Sequence, residues 1–146
     1  MRSRLVFGVL LLGLAVLPVA AQNLDVVKAR KEALKIMGKA TKEPAAMLKS
    51  EDPFDLAKVQ TALRAYINEA PGLVRMFPDD SKTGGDTEAL PAIWDNKPDF
   101  EGRYIKLAAD AKAAAAAITD EVSFLEEFPK VVEQCAACHK KYRVKK

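Results

Sequence analysis

Four stretches of this chain repeat their apolar residues at steps of three and four, and no stretch alternates apolar and polar residues as a half-buried strand does. The first runs from about Leu24 to Leu48, with Val27, Leu34, Met37 and Thr41 near one face and Val26, Ala33 and Ala40 beside it. Asp25 stands in its first turn, where the positive end of the helix dipole favours an acid. Pro44 is expected to end or kink it. The second follows Glu51-Asp52-Pro53 and carries Leu56, Val59, Leu63, Ile67 and Ala70, until Pro71-Gly72 stops it. The third starts near Pro98-Asp99 and lines Phe100, Tyr104, Leu107, Ala111 and Ala114 along one side. Thr119 and Asp120 then read as a break and a new N-cap. The fourth carries Val122, Leu125, Phe128, Val132, Cys135, His139 and Tyr142, with Pro129 as a kink or a fresh start.

Between the second and third stretches, residues 73–98 hold three prolines, Gly84-Gly85 and no sustained period. A connection of that length is expected to pack or to function. Met76, Phe77, Leu90, Ile93 and Trp94 imply that it packs over apolar surface. The predicted fold class is all-α: an antiparallel up-down-up-down four-helix bundle with a long connection between helices 2 and 3.

At 146 residues, 49% of them hydrophobic, the chain suits one domain. Residues 1–21 read as a cleaved signal peptide. Arg2 and Arg4 open it, Leu5 to Leu17 is nearly all apolar, Pro18 breaks the run, and Val19-Ala20-Ala21 precedes Gln22. A retained anchor is the rival reading, but the run is short for a membrane span. The expected domain is residues 22–146, exported to the periplasm of a bacterium and free of the membrane once the leader is removed. The leader holds two arginines and no acid, so its loss takes the net charge from +3 to +1. That balance does not suggest a nucleic-acid binder.

The only two cysteines and the only histidine fall within Cys135-Ala136-Ala137-Cys138-His139. This C-x-x-C-H spacing reads as c-type haem attachment. Residues three apart on a helix share a face, so both sulfurs can reach one porphyrin edge and form thioethers, and the adjacent imidazole turns toward iron. A thioredoxin-like C-x-x-C opens a helix after a strand, whereas this one closes an all-α chain. Zinc needs four ligands, and three neighbours in one turn do not close a tetrahedron. A plain disulfide leaves His139 without a role. A non-haem structural or interaction bundle would require all three residues to be coincidence. No nucleophile, base and orienter stand together, so no enzyme is expected.

With the motif placed, the whole mature chain resembles the class II c-type cytochromes, the cytochromes c′ and their low-spin relatives the cytochromes c-556. Cys135-Ala-Ala-Cys-His-Lys-Lys-Tyr-Arg143 lies near the C-terminus, whereas class I cytochromes carry the motif near the N-terminus. Lys28-Ala29-Arg30-Lys31 with Leu34 and Met37 is similar to the family's first-helix segment. Pro53-Phe54-Asp55 is similar to its second-helix entry, and Pro91-Ala92-Ile93-Trp94 to its loop anchor. The resemblance implies one covalent haem c, redox partner proteins of the periplasm, and a homodimer paired through the first two helices. Ala29, Ala33, Ala45 and Ala46 would allow close approach there.

The resemblance also implies roles for single residues. It places Leu34 at the distal face of a five-coordinate iron able to bind NO or CO. In the c-556 branch a first-helix methionine is the sixth ligand and the protein is purely an electron carrier. Met37 shares a face with Leu34, so helical position allows either residue. Core filling is the other use of Met37. Arg30 and Lys31 match positions that meet haem propionates, which suits charge pairing, although a solvated helix face is a rival reading. Arg143, four residues after His139, matches a basic residue beside the proximal histidine, with a solvated terminal charge as its rival.

Overall fold

The computed structural model describes residues 23–145. The leader segment expected at 1–21 lies outside them. Four long helices, α1 (Leu24–Leu48), α2 (Leu56–Leu73), α4 (Lys97–Ala117) and α5 (Glu121–Tyr142), build the bundle. The connection holds a 3-10 turn (Asp79–Ser81) and a one-turn helix α3 (Ala92–Asp95). Among the described residues there is no strand, and no helix is long and apolar enough to cross a membrane.

The helix starts follow from side-chain capping. Asn23 Oδ1 accepts from Val26 N, and Asp55 Oδ1 accepts from Lys58 N, each satisfying an orphan donor. Asp120 and Ser123 form a reciprocal capping box at the start of α5. At the C-terminus of α4, Gln60 Nε2 donates to the carbonyls of Ala115 (3.0 Å) and Ile118 (3.2 Å). The prolines interrupt less than their chemistry suggests. Pro44 and Pro129 lie inside α1 and α5, and α2 runs through Pro71 to Leu73. Packing against the neighbouring helices keeps these helices continuous where local propensity would break them.

α2 packs on α1 and on α4, and α4 packs on α5. The core runs through Val59, Leu63, Tyr66, Phe124 and Phe128, all buried. Tyr66 OH meets Thr41 Oγ1 at 2.7 Å and ties α2 to α1. On α5 the inward face is Phe124, Phe128, Val131 and Tyr142. Val122 and Leu125, expected on that face, are 68% and 50% exposed. Phe124 displaces them because its ring packs on Phe54 and Phe128, burying more apolar area than an aliphatic side chain would. α1 and α5 share little direct packing, and a cavity separates them.

Candidate functional site

The antiparallel arrangement brings the start of α1, the connection, the start of α4 and the end of α5 to one end of the bundle. A cavity of about 690 Å³ opens there, within the range of cofactor sites. Its α1 wall includes Leu34 and its α5 wall includes Cys138, His139 and Arg143. Its floor is aromatic. Phe77 stacks edge-on against Phe100 at 4.6 Å, and Phe100 meets Tyr104 at 5.2 Å and Tyr142 at 5.1 Å. Trp94 fixes Phe77 by donating its indole N–H to Phe77 O (3.0 Å) and Pro78 O (3.2 Å).

Cys135 and Cys138 stand one turn apart on α5 and are half-buried; His139 is exposed at the cavity. Cys138 and His139 line the cavity, while Cys135 lies a turn deeper and is not part of the lining. Burial pushes both thiols up. Burial also pushes the His139 imidazolium down, with Arg143 adding to that shift and Glu88 opposing it. The favoured form is therefore the neutral imidazole, which has a lone pair for a metal.

Met37 is buried in the core and absent from the cavity wall, whereas Leu34, three residues earlier, is part of that wall. Lys31 Nζ donates to Gly85 O at 3.1 Å on the rim. Gly85 has φ +58°, and a Cβ there would lie 3.0 Å from Val27 Cγ1. The connection therefore hugs α1 only because this residue is glycine.

Arg30 is 2% exposed, which sets aside the solvated helix face as its environment. Its Nη1 donates to Met76 O (3.2 Å) and Ser81 Oγ (2.9 Å), and its Nη2 to Ser81 O (3.0 Å) and Thr87 Oγ1 (2.6 Å). Its Cζ lies 4.6 Å from the Phe77 ring centroid. These partners are all neutral, and burial pushes the guanidinium down. Arg30 thus clamps the connection over the cavity while lining it. A sequence signal existed: Arg30 is in helical register with Val27 and Met37, which are both buried.

A second clamp joins the connection to α5. Leu90 N donates to Tyr142 O (3.0 Å), Val144 N donates to Glu88 O (2.9 Å), and Arg143 Nε stands 3.9 Å from Glu88 Oε2. Asp99 on α4 accepts from Arg103 Nε (2.9 Å), Lys141 Nζ (3.1 Å) and the Tyr142 hydroxyl. No sequence pattern marked Ser81, Thr87 or Glu88, because the arginines they meet lie 50 or more residues away, and Asp99 pairs with Arg103 one turn on but also reaches Tyr142 across 43 residues.

The residues present fit a haem. An apolar and aromatic interior suits a macrocycle, a buried cation with only neutral partners suits propionates, and a C-x-x-C-H helix borders the space. A bundle of this topology with the motif on its last helix is the arrangement of a class II c-type cytochrome; cytochromes c′ are themselves an instance of the up-down bundle. Residues 25–143 match the family model described as cytochrome C′. The chain is 48% identical over 127 residues to cytochrome c′ of Rhodopseudomonas palustris, covering 87% of each chain. It is 36% identical over 121 residues to cytochrome c-556 of Agrobacterium fabrum, covering 82% of each. The solved structure of cytochrome c′ from Rhodopseudomonas palustris superposes with a TM-score of 0.81 at 49% identity, covering 84% of this chain and 98% of that one.

The chain belongs to the cytochrome c′ family. It is a c-type cytochrome that carries electrons, and its cofactor is covalently attached haem c with iron.

Proposed function

We propose that this chain is a periplasmic one-electron carrier whose iron is five-coordinate and open to NO or CO. In this reading Cys135 and Cys138 hold the haem by thioethers, each thiol S–H adding across one vinyl C=C, so no oxidant is needed. His139 is the axial ligand, Leu34 covers the distal face, and Arg30 and Lys31 face the propionates. Arg143 stands beside the axial histidine. When bound, the haem supplies the one-electron iron couple and a position for a diatomic ligand.

The chain's own residues do the rest. Neutral His139 presents a nitrogen lone pair. Leu34 brings no donor atom, so it makes the distal side dry and apolar. The Arg30 clamp holds the connection in place over the cavity. The observation that carries the reading is that Leu34, and not Met37, is among the α1 residues lining the cavity that His139 also lines. The c-556 relative keeps the low-spin alternative as the outcome to be tested against.

One preparation tests the reading. Holoprotein recovered from the periplasmic fraction is expected to begin at Gln22 and to keep its haem through acid-acetone extraction. Its reduced spectrum is expected to be high-spin and to change on adding CO. Haem that extracts freely overturns the attachment. A sharp low-spin spectrum indifferent to CO overturns the open site.

A further inference from the structure

Lys28, Lys31, Lys35, Lys39 and Lys42 follow one another along α1 at steps of three and four, and all five are exposed. Steps of that size put them in one row on the helix surface. Elsewhere several basic residues are neutralised, although the exposed Lys49, Arg64, Arg75, Lys112 and Lys140 have no ion pair among the described residues. Lys58 pairs with Glu43, Lys82 with Asp79, Lys97 with Glu101, Lys106 with Asp110, Lys130 with Glu127, and Arg103 and Lys141 with Asp99. In the row on α1, only Lys35 has an ion pair among the described residues, at 3.4 Å from the exposed Glu32. Lys31 donates to a backbone carbonyl instead. Like charges one turn apart repel and destabilise a helix, so the row has a cost that the Lys35–Glu32 pair offsets only in part.

The row also has a definite place. Lys28, Lys31 and Lys35 line the cavity, and Arg143 lines it from α5. The acids on that rim are Glu32, Asp86 and Glu88, with Glu88 facing Arg143. The other end of the bundle is acidic, with Glu51, Asp52, Asp55, Asp120 and Glu121 around the two tight turns. A mature chain near electrical balance is therefore polarised, with a row of positive charge running to the opening of the cavity.

We propose that the α1 lysine row is the docking surface for an acidic electron-transfer protein, which it steers onto the mouth of the haem cavity. The proposal rests on the reading that this cavity holds the haem. Complementary charge speeds encounter and sets orientation more than it adds affinity, which suits a partner that must leave after one electron. An anionic membrane is the other surface such a row could meet. An interfacial helix needs an apolar face free to enter lipid, whereas the apolar face of α1, with Val27, Ala33, Met37 and Met47, is buried in the bundle.

The test uses the reduced holoprotein in stopped flow. One electron leaves the iron, and one ferricyanide becomes ferrocyanide or one tris(phenanthroline)cobalt(III) becomes cobalt(II). Raising ionic strength from about 0.01 M to about 1 M cuts the screening length from about 30 Å to about 3 Å. The ferricyanide rate is expected to fall about tenfold or more, and the cobalt rate to rise. A variant combining Lys28→Glu, Lys35→Glu and Lys39→Glu is expected to lose the ferricyanide slope. It should also slow reduction by an acidic plant-type ferredoxin about tenfold at low salt. A control combining Lys49→Glu, Arg64→Glu and Lys112→Glu makes the same change in net charge at exposed sites off the rim, and should keep the slope.

Equal losses in the two variants would show that overall charge is responsible and overturn the proposal, as would a ferredoxin rate that the row variant leaves unchanged. Binding of wild type to anionic vesicles, lost in the row variant while both oxidant slopes persist, assigns the row to a membrane and overturns it too. Should the glutamate variant fail to fold, the triple Lys→Gln variant is expected to reduce the slope, and the opposite slopes of the two oxidants in wild type need no variant. The haem spectrum is read before any rate, so failure of the haem reading is seen separately.

Discussion

Leu34 and Met37 lie three residues apart on α1, and the cavity separates their roles. Met37 packs into the core beneath the cavity, and Leu34 borders it. A side chain that crowds the distal face opposes an incoming ligand. Leu34→Ala is therefore expected to strengthen CO binding by about tenfold or more, equivalent to about 1.4 kcal/mol of relieved crowding. Optical titration of the reduced holoprotein measures it. An unchanged affinity, together with a wild type whose low-spin spectrum is lost in Met37→Leu, would identify the methionine as the ligand. Arg30 teaches the opposite lesson at the same scale. Its charge suggested a solvated or propionate-facing residue; its guanidinium is buried and also holds Met76, Ser81 and Thr87. Periodicity, rather than residue type, carried the signal for its burial.

The elements depend on ties that join distant parts of the chain. Asp99 links α4 to α5 through Arg103, Lys141 and Tyr142, and the hydrogen bonds from Arg103, Tyr142 and Lys141, in that order, hold its carboxyl well below the usual carboxylate range. A depressed folded-state pKa means the carboxylate supplies stability above the unfolded value of about 3.9 and loses it as pH falls through the lower folded value. Asp99→Asn is thus expected to lower Tm at pH 7, with the deficit closing only as the pH drops well below 4. Thermal melts of both proteins across that range check it, and a deficit independent of pH would mean the link is not ionic. The α5 stripe shows where element-level reading falls short. Helix existence and its N-cap at Asp120 were legible, but the inward face was rotated away from Val122 and Leu125. Their spacing fits a helix either way, and only packing against Phe54 and α4 selects Phe124.

At the scale of the molecule, α1 carries three different surfaces. One is buried, one borders the cavity with its lysines, and a third is proposed to meet a second copy. Ala33, expected to help two copies approach, is buried in its own bundle and drops out of that surface. Ala29 is exposed, Ala45 and Ala46 are half-buried, and Ile36 is 40% exposed. The proposed homodimer uses the side of Ala29 and Ile36, whereas Ala46, four residues after Lys42, stands in line with the lysine row. Sedimentation of the holoprotein at high micromolar concentration is expected to give the dimer mass, and a monomer there would count against it. A dimer whose ferricyanide kinetics keep their salt dependence would show that the two surfaces are separate.

The sequence by itself determined what depends on near neighbours. Periods of three and four place the four helices, Asp120 starts the last of them, and Cys135, Cys138 and His139 name the cofactor, because each of these signals lies within a turn or two of chain. The tertiary structure alone decided what depends on partners far along the chain. It buried Arg30 against residues 46 to 57 positions away, and it joined Glu88 to Arg143 at the rim of the cavity. It put Leu34 on the cavity wall while Met37 went to the core. A helix fixes which residues share its surface, but its rotation about its own axis is set by what packs against it, and that choice is what aims the site.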